Sequence, residues 1–269
     1  MKNIIAIVFL VISTFVDAHE SQAQATYLGN EGVMISNGDT IIIFDPFFHN
    51  NYDIYQLVPD AILNALFENS EPYNDIDAIF ISHAHGDHFA ADLVIKYLQK
   101  FPQTKLVAPA QAIDQLKALS EFSSLQNQIV SIDIEYQDSP RAIYLEDLFV
   151  EVIRVPHSGW PNSRLDVSNL VYRVTLDGEI TVIHMGDADP NTLHFQPYEN
   201  YWQANHTDTA FPPYWFFYST YGPKILSDII NAEKSIGIHV PVKVPQELID
   251  SQKDYLSKPS ETRTVHSHH

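Results

Sequence analysis

The stretch Ile79–Phe89, IFISHAHGDHF, runs from apolar residues straight into His83, His85, Asp87 and His88. Asp77–Ser82 reads as a short buried strand, and Phe89, Leu93, Val94, Tyr97 and Leu98 recur behind it at helical spacing. The polar cluster therefore belongs to a strand-to-helix loop, where open α/β sheets carry their chemistry. In an extended chain, residues two apart point the same way. His83 and His85 can thus reach one ion while the turn carries Asp87 and His88 towards a second.

Outward from that loop the chain reads as mixed α/β. Gly32–Ser36 and Thr40–Phe44 are apolar runs joined by Asn37-Gly38-Asp39, a hairpin signal. The second run stops at Asp45-Pro46, where the proline has no N–H for further pairing. A helix is expected at Asp60–Phe67, then a strand at Lys105–Ala108 and a helix at Pro109–Leu119. Beyond residue 129 strands dominate, at Ile129–Ile134, Ala142–Tyr144, Phe149–Val155, Leu170–Leu176 and Ile180–His184. Asp177-Gly178 turns the last pair. Neither an internal repeat nor a low-complexity linker divides the chain.

Three more apolar runs end in polar loops. Val152–Pro156 leads to His157, Thr181–Met185 to Gly186-Asp187, and Ser235–Ile238 to His239. Taken in order, His-x-His-x-Asp-His followed by His, Asp and His resembles the signature of the metallo-β-lactamase superfamily, and the resemblance runs from about Gly32 to Pro241. It implies an α/β (α+β) fold, the four-layer αββα sandwich, with a metal groove at one edge of two packed sheets. By position it implies that His83, His85 and His157 hold one ion, that Asp87, His88 and His239 hold another, and that Asp187 bridges them. Asp45 would brace this set from behind. The implied cofactors are two divalent metal ions, Zn2+ first, with Fe or Mn as alternatives. The sequence contains no cysteine, so nitrogen and oxygen must supply every ligand, unlike the zinc β-lactamases that use a Cys ligand.

The chemistry implied is hydrolysis of an ester-like bond by a hydroxide bridging the two ions, with Asp87 and Asp187 available for proton transfer. The sequence around His184-Met185-Gly186-Asp187 resembles the branch holding lactonase-like proteins and N-acyl-phosphatidylethanolamine phospholipase D. A lactone, phosphodiester or related bond in a small or lipid-like substrate is therefore expected. Trp160, Asn162 and Arg164 closely follow a ligand and are candidates for the substrate groove. Within Phe211–Tyr221, Tyr214, Trp215 and Phe217 read either as an apolar substrate wall or as part of a buried strand. Two other readings accompany hydrolysis: a mononuclear iron dioxygenase of the same fold, and a non-catalytic exported metal-binding module.

Composition bounds the partners. With 45% hydrophobic and 12% aromatic residues in 269, the chain can bury a large core. A formal net charge of −19, with only 15 Lys and Arg, excludes nucleic acid as a natural partner and disfavours anionic membranes. Met1–Ala25 reads as an export signal: Lys2, the apolar run Ile4–Val16, and small residues at Ala18, Ala23 and Ala25. That run is short for a transmembrane helix, so no stable membrane insertion is expected once it is removed. The expected protein is exported, periplasmic or extracellular, with one domain over residues 26–260 and a polar tail over 261–269 carrying His266, His268 and His269.

Overall fold

Two sheets face each other across the main core. The protein is described by a computed structural model over residues 22–265; the expected export signal lies outside the described residues except for positions 22–25. The N-terminal half supplies β1 (Gln24–Gly29), β2 (Gly32–Asn37), β3 (Thr40–Phe44), α1 (Asp60–Glu68), β4 (Ala78–Phe80), α2 (Ala91–Lys100), β5 (Lys105–Pro109), α3 (Ala110–Lys117) and β6 (Ile129–Ile132). The C-terminal half supplies β7 (Arg141–Leu145), β8 (Leu148–Arg154), β9 (Leu170–Leu176), β10 (Ile180–His184), β11 (Thr207–Phe211) and β12 (Ala232–Ser235). A last strand, β13 (Thr262–Thr264), returns to the first sheet. The strand orders are β13-β1-β2-β3-β4-β5-β6 and β12-β11-β10-β9-β8-β7.

Period-2 alternation sorts each strand's side chains between two cores. Ile42, Phe44, Ala78 and Phe80 face the second sheet and meet Val150, Val152, Tyr172, Val174 and Val182. Ile43, Ile79 and Ile81 face outward, where the apolar sides of α1, α2 and α3 cover them through Leu66, Val94, Leu98 and Leu116. On the far side of the second sheet, Val171, Ile183 and Ala210 lie under Phe195, Trp202, Ile225 and Ile229 from short helical segments. This is the αββα sandwich. Each fully buried Leu, Ile or Phe contributes about 1.5–3 kcal/mol, so most of the driving force lies in these three layers of contact.

Strand pairing lies on both sides of the expected boundaries at residues 25/26 and 260/261. Gln24 and Ala25 belong to β1, paired with Ser36 and Ile35, and Ala23 and Ala25 are buried, so a boundary after residue 25 would cut through an edge of the core. Residues 262–264, expected as tail, pair with β1 instead. Phe211–Tyr221 does not form one continuous strand. Phe211 ends β11, two prolines then remove ladder donors, and Tyr214–Phe217 forms a 3-10 turn.

Strand direction decides where the chemistry collects. β3, β4 and β5 run parallel, so Asp45 and the 82–89 loop leave at the same edge. Because β2 is antiparallel to β3, with Val33 opposite Phe44, the β1–β2 turn at Asn30–Glu31 reaches that edge too. In the other sheet β8 and β10 both oppose β9, while β11 and β12 run parallel to β10. The loops following β8, β10 and β12 therefore emerge together, opposite the first set.

Candidate metal centre

Seven side chains separated by up to 156 positions meet at this edge. His83, His85, His157 and Asp187 each place one ligand atom in a common cluster, and Asp87, His88 and His239 form a second. Asp187 lies between them: Oδ2 is 2.9 Å from His157 Nε2 and 3.9 Å from His83 Nε2, while Oδ1 is 3.0 Å from His239 Nε2 and 3.6 Å from His88 Nε2. His83 Nε2 and His85 Nδ1 are 3.0 Å apart. Such separations match the edges of a coordination shell whose bonds are about 2.1 Å long.

The nitrogens that face away from the centre are committed. His88 Nδ1 donates to Asp45 Oδ2 at 2.9 Å, and His157 Nδ1 donates to the Ser158 carbonyl at 2.8 Å. His83 Nδ1 donates to Ser82 Oγ at 3.0 Å, whose own proton goes to Asp45 Oδ2 at 2.5 Å. His239 Nδ1 donates to Asn30 Oδ1, and Asn30 Nδ2 in turn donates to the Asp87 carbonyl at 2.9 Å. With the outer nitrogen of each ring carrying its proton, the inner one presents a lone pair, the tautomer a metal ligand needs. Buried His88 Nε2, His157 Nε2 and Asp187 Oδ1 have no hydrogen-bond partner. Unpartnered, inward-facing donor atoms of this kind fit divalent cations.

The local backbone is shaped for the task. Asp45 and His239 hold φ of +40° and +57°, at a cost on the order of 1 kcal/mol each. Gly186 is required twice over: its φ is +54°, and a Cβ there would lie 2.4 Å from Asn169 Oδ1 and 2.8 Å from Ser82 Cβ. Asn169 Oδ1 accepts from the Asp187 N–H at 3.0 Å, fixing the carboxylate's approach.

Electrostatically the centre is short of positive charge. Burial opposes ionisation of Asp187, but His239 and His88 outweigh it and hold the carboxyl well below the usual range. Burial likewise opposes a charged His88, yet Asp187 and the Asp45 hydrogen bond raise it well above an ordinary imidazole. Glu31 is pushed well above the carboxylate range by its burial and by Asp187. These carboxylates draw a proton onto His88; a divalent cation answers the same demand.

Sequence reasoning names all seven of these residues and Asp45. It misses Asn30, Glu31, Asn169 and Tyr55, whose ring stacks on His239 at 4.0 Å. The signal for Glu31 was a charged residue inside the Tyr27–Ile35 segment, apolar apart from it and its neighbour Asn30, readable only once that segment is known to turn at the site. The expected groove residues separate. Trp215 is half-buried, its ring 5.3 Å from His239, and donates through Nε1 to the Ala188 carbonyl. Tyr214 packs edge-on against Trp215, whereas Phe217 is buried in the outer core. Trp160 packs against His194, and Arg164 donates to the Ser158 carbonyl at 3.3 Å, beside His157. Asn162 is exposed, with its N–H donating to the Gly159 carbonyl.

No curated protein matches the chain in sequence. Among solved structures, it is similar to Igni18, a metallo hydrolase from Ignicoccus hospitalis, at TM-score 0.59 and 16% identity over 90% of this chain and 98% of that one. The isothiocyanate hydrolase from Delia radicum gut bacteria aligns at TM-score 0.58 and 14% identity, covering 91% and 100%. CmlA, a diiron β-hydroxylase from Streptomyces venezuelae, aligns at 0.54 and 12%, covering 91% of this chain and 54% of that one. These likenesses speak to fold, and the same fold carries more than one chemistry. The family model of the beta-lactamase superfamily domain matches residues 40–201, over half of the sequence and including six of the seven converging residues. With that match and the αββα architecture together, the chain belongs to the metallo-β-lactamase superfamily.

Proposed function

We propose that this protein is an exported, metal-dependent hydrolase that binds two divalent cations, Zn2+ in the first instance, and cleaves an ester-like bond in a small or lipid-like substrate. The observation carrying this reading is the convergence of two ligand clusters on the one carboxylate of Asp187. His83, His85 and His157 would hold one ion, and Asp87, His88 and His239 the other. When bound, such ions lower the pKa of water and polarise the oxygen of the bond under attack.

The chain's own residues do the rest. Asp45, Asn30, Ser82 and the Ser158 carbonyl keep four imidazoles in the ligating tautomer, so the centre is organised before substrate arrives. Tyr55 and Trp215 flank His239 as aromatic walls, suited to the apolar part of a substrate. Arg164, at the exposed rim beside Ser158, is available to an anionic group. Asp87 and Asp187 are the carboxylates in position to take a proton as the bond breaks.

Elemental analysis of the purified chain, combined with a panel of lactone, phosphodiester, thioester and β-lactam substrates, tests the reading. About two equivalents of metal and turnover of one substrate class are expected, and His85→Ala should lose both metal and turnover. Wild-type metal content and turnover in that variant would overturn the assignment, as would stoichiometric oxygen consumption in place of hydrolysis. Export is tested by N-terminal sequencing of the mature chain: a start after Ala18 leaves β1 whole, whereas retention of Met1 would contradict it.

A further inference from the structure

Glu31 is the one acidic residue at the centre that has no part in the set described above. It occupies the β1–β2 turn, is fully buried, and both of its carboxyl oxygens lack a hydrogen-bond partner. Oε2 lies 3.7 Å from the outward His88 Nδ1 and 3.8 Å from His184 Nε2, so its approach to the ion's site is through Asp187 and His239 and not through His88 Nδ1. With Asp187 and His239 it forms a further group whose ligand atoms all fall within 4.8 Å of one another. The turn is held in place from three sides. His184 Nε2 donates to the Glu31 carbonyl at 3.0 Å, and His184 itself stacks on Phe44 at 4.6 Å. Asn30 is tied to His239 and Asp87, and Gly29 presses so close to Leu57 and Val58 that a Cβ would sit 2.9 Å from their backbone. The carboxyl is therefore aimed rather than merely trapped.

Charge explains why it is there. Glu31, Asp45, Asp87 and Asp187 are at most 6% exposed, and among the described residues every ion-pair partner these four have is a histidine. A buried carboxylate without a cation or a donor is costly, and one left unpartnered in an evolved core points to an absent counter-charge.

We propose that Glu31 is a carboxylate of the second ion's site, holding that ion together with Asp87, His88, His239 and the shared Asp187. The two positions then differ in kind. The first is rich in imidazole nitrogen, and the second in carboxylate oxygen, which suits a harder cation such as Mn2+. This inference rests on the dinuclear reading and adds a ligand group that the histidine-rich motif does not contain.

The test is a Mn2+ titration of the full-length, metal-stripped chain, with free ion followed by the EPR signal of aqueous Mn2+ and a parallel Zn2+ titration by calorimetry. Wild type is expected to bind two ions. Glu31→Gln, which keeps the shape and removes the charge, should retain the first ion and weaken the second at least tenfold. Retention of the first ion reports that the site has folded, and background binding by His266, His268 and His269 is common to both chains. Glu31→Asp, which restores the charge one methylene further back, should recover part of the lost affinity. Unchanged binding of both ions by Glu31→Gln would overturn the proposal while leaving the dinuclear reading intact. Glu31→Asp no better than Glu31→Gln would assign the loss to packing and overturn it as well. A wild-type chain that binds neither ion would overturn the dinuclear reading, and this inference with it.

Discussion

Two carboxylates, Glu151 on β8 and Asp187 after β10, are buried to a similar degree, and the protein treats them oppositely. Glu151 receives Arg173 through Nε and through Nη2 at 2.7 Å, and the Tyr201 hydroxyl also donates to it. The Arg173 guanidinium is in turn sandwiched near the Trp202 ring, 4.7 Å from its centre, and donates to the Trp202 carbonyl at 3.2 Å. Charge, donors and shape all close. Around Asp187 there are only imidazoles, themselves partly unsatisfied, and three further carboxylates. A self-sufficient ion pair belongs to the scaffold; an unbalanced one is an address for something the polypeptide does not itself provide.

Breaking each cluster should give a different symptom. Asp187→Asn removes the shared ligand charge, so turnover should fall by on the order of 10^3-fold and both ions should bind more weakly, read by kinetics and metal analysis. The metal-free fold should also lose stability near neutral pH, because the ionised carboxylate is held well below its ordinary range by His239 and His88 and that gain goes with the charge. Arg173→Met is the converse. It strands Glu151 in the core, and urea unfolding should show a loss of about 3–5 kcal/mol while metal content per folded molecule stays at the wild-type level. Pairing it with Glu151→Leu should return much of that stability, because the stranded charge is then absent.

A smaller change sharpens the contrast within the metal centre. Asp45→Asn keeps the acceptor for the Ser82 N–H, now 2.7 Å away, but turns an N–H towards His88 Nδ1. The imidazole then shifts its proton to Nε2 and loses the inward lone pair. Affinity for the second ion should drop about 10–100-fold, measured by calorimetry, with the first ion little affected. An equal loss at both positions would mean that Asp45 acts through the Ser82–His83 arm instead.

Much of this was readable in the chain because strand ends and ligand types coincide. His83 to His88 advertise themselves within six residues, and His157, Asp187 and His239 each follow an apolar run that the period-2 pattern marks as a strand. The hairpin at Asn37-Gly38 and the helices near residues 60, 91 and 110 follow equally local rules. What escaped depends on pairing at a distance. β11 and β13 are short and polar: Thr207 and Asp208 are buried only by pairing beside β10 and β12, and the largely exposed Thr262–Thr264 is a strand only through its pairing with β1. Glu31 and Asn30 reach the centre because β2 is antiparallel to β3, a fact no single window of sequence contains. The buried Arg173–Glu151 pair is hidden likewise, as directly opposed residues on adjacent strands.

The pairing of β13 with β1 joins the first strand of the domain to the last. During synthesis, β1 must wait for more than two hundred residues before its outer rim is sealed, while its N–H and C=O groups stand open to any extended segment nearby. Three residues near the C-terminus thus act as a selvedge on the finished cloth. Removing residues 262–269 should leave the metal-ligand edge untouched and make the protein prone to strand-to-strand self-association.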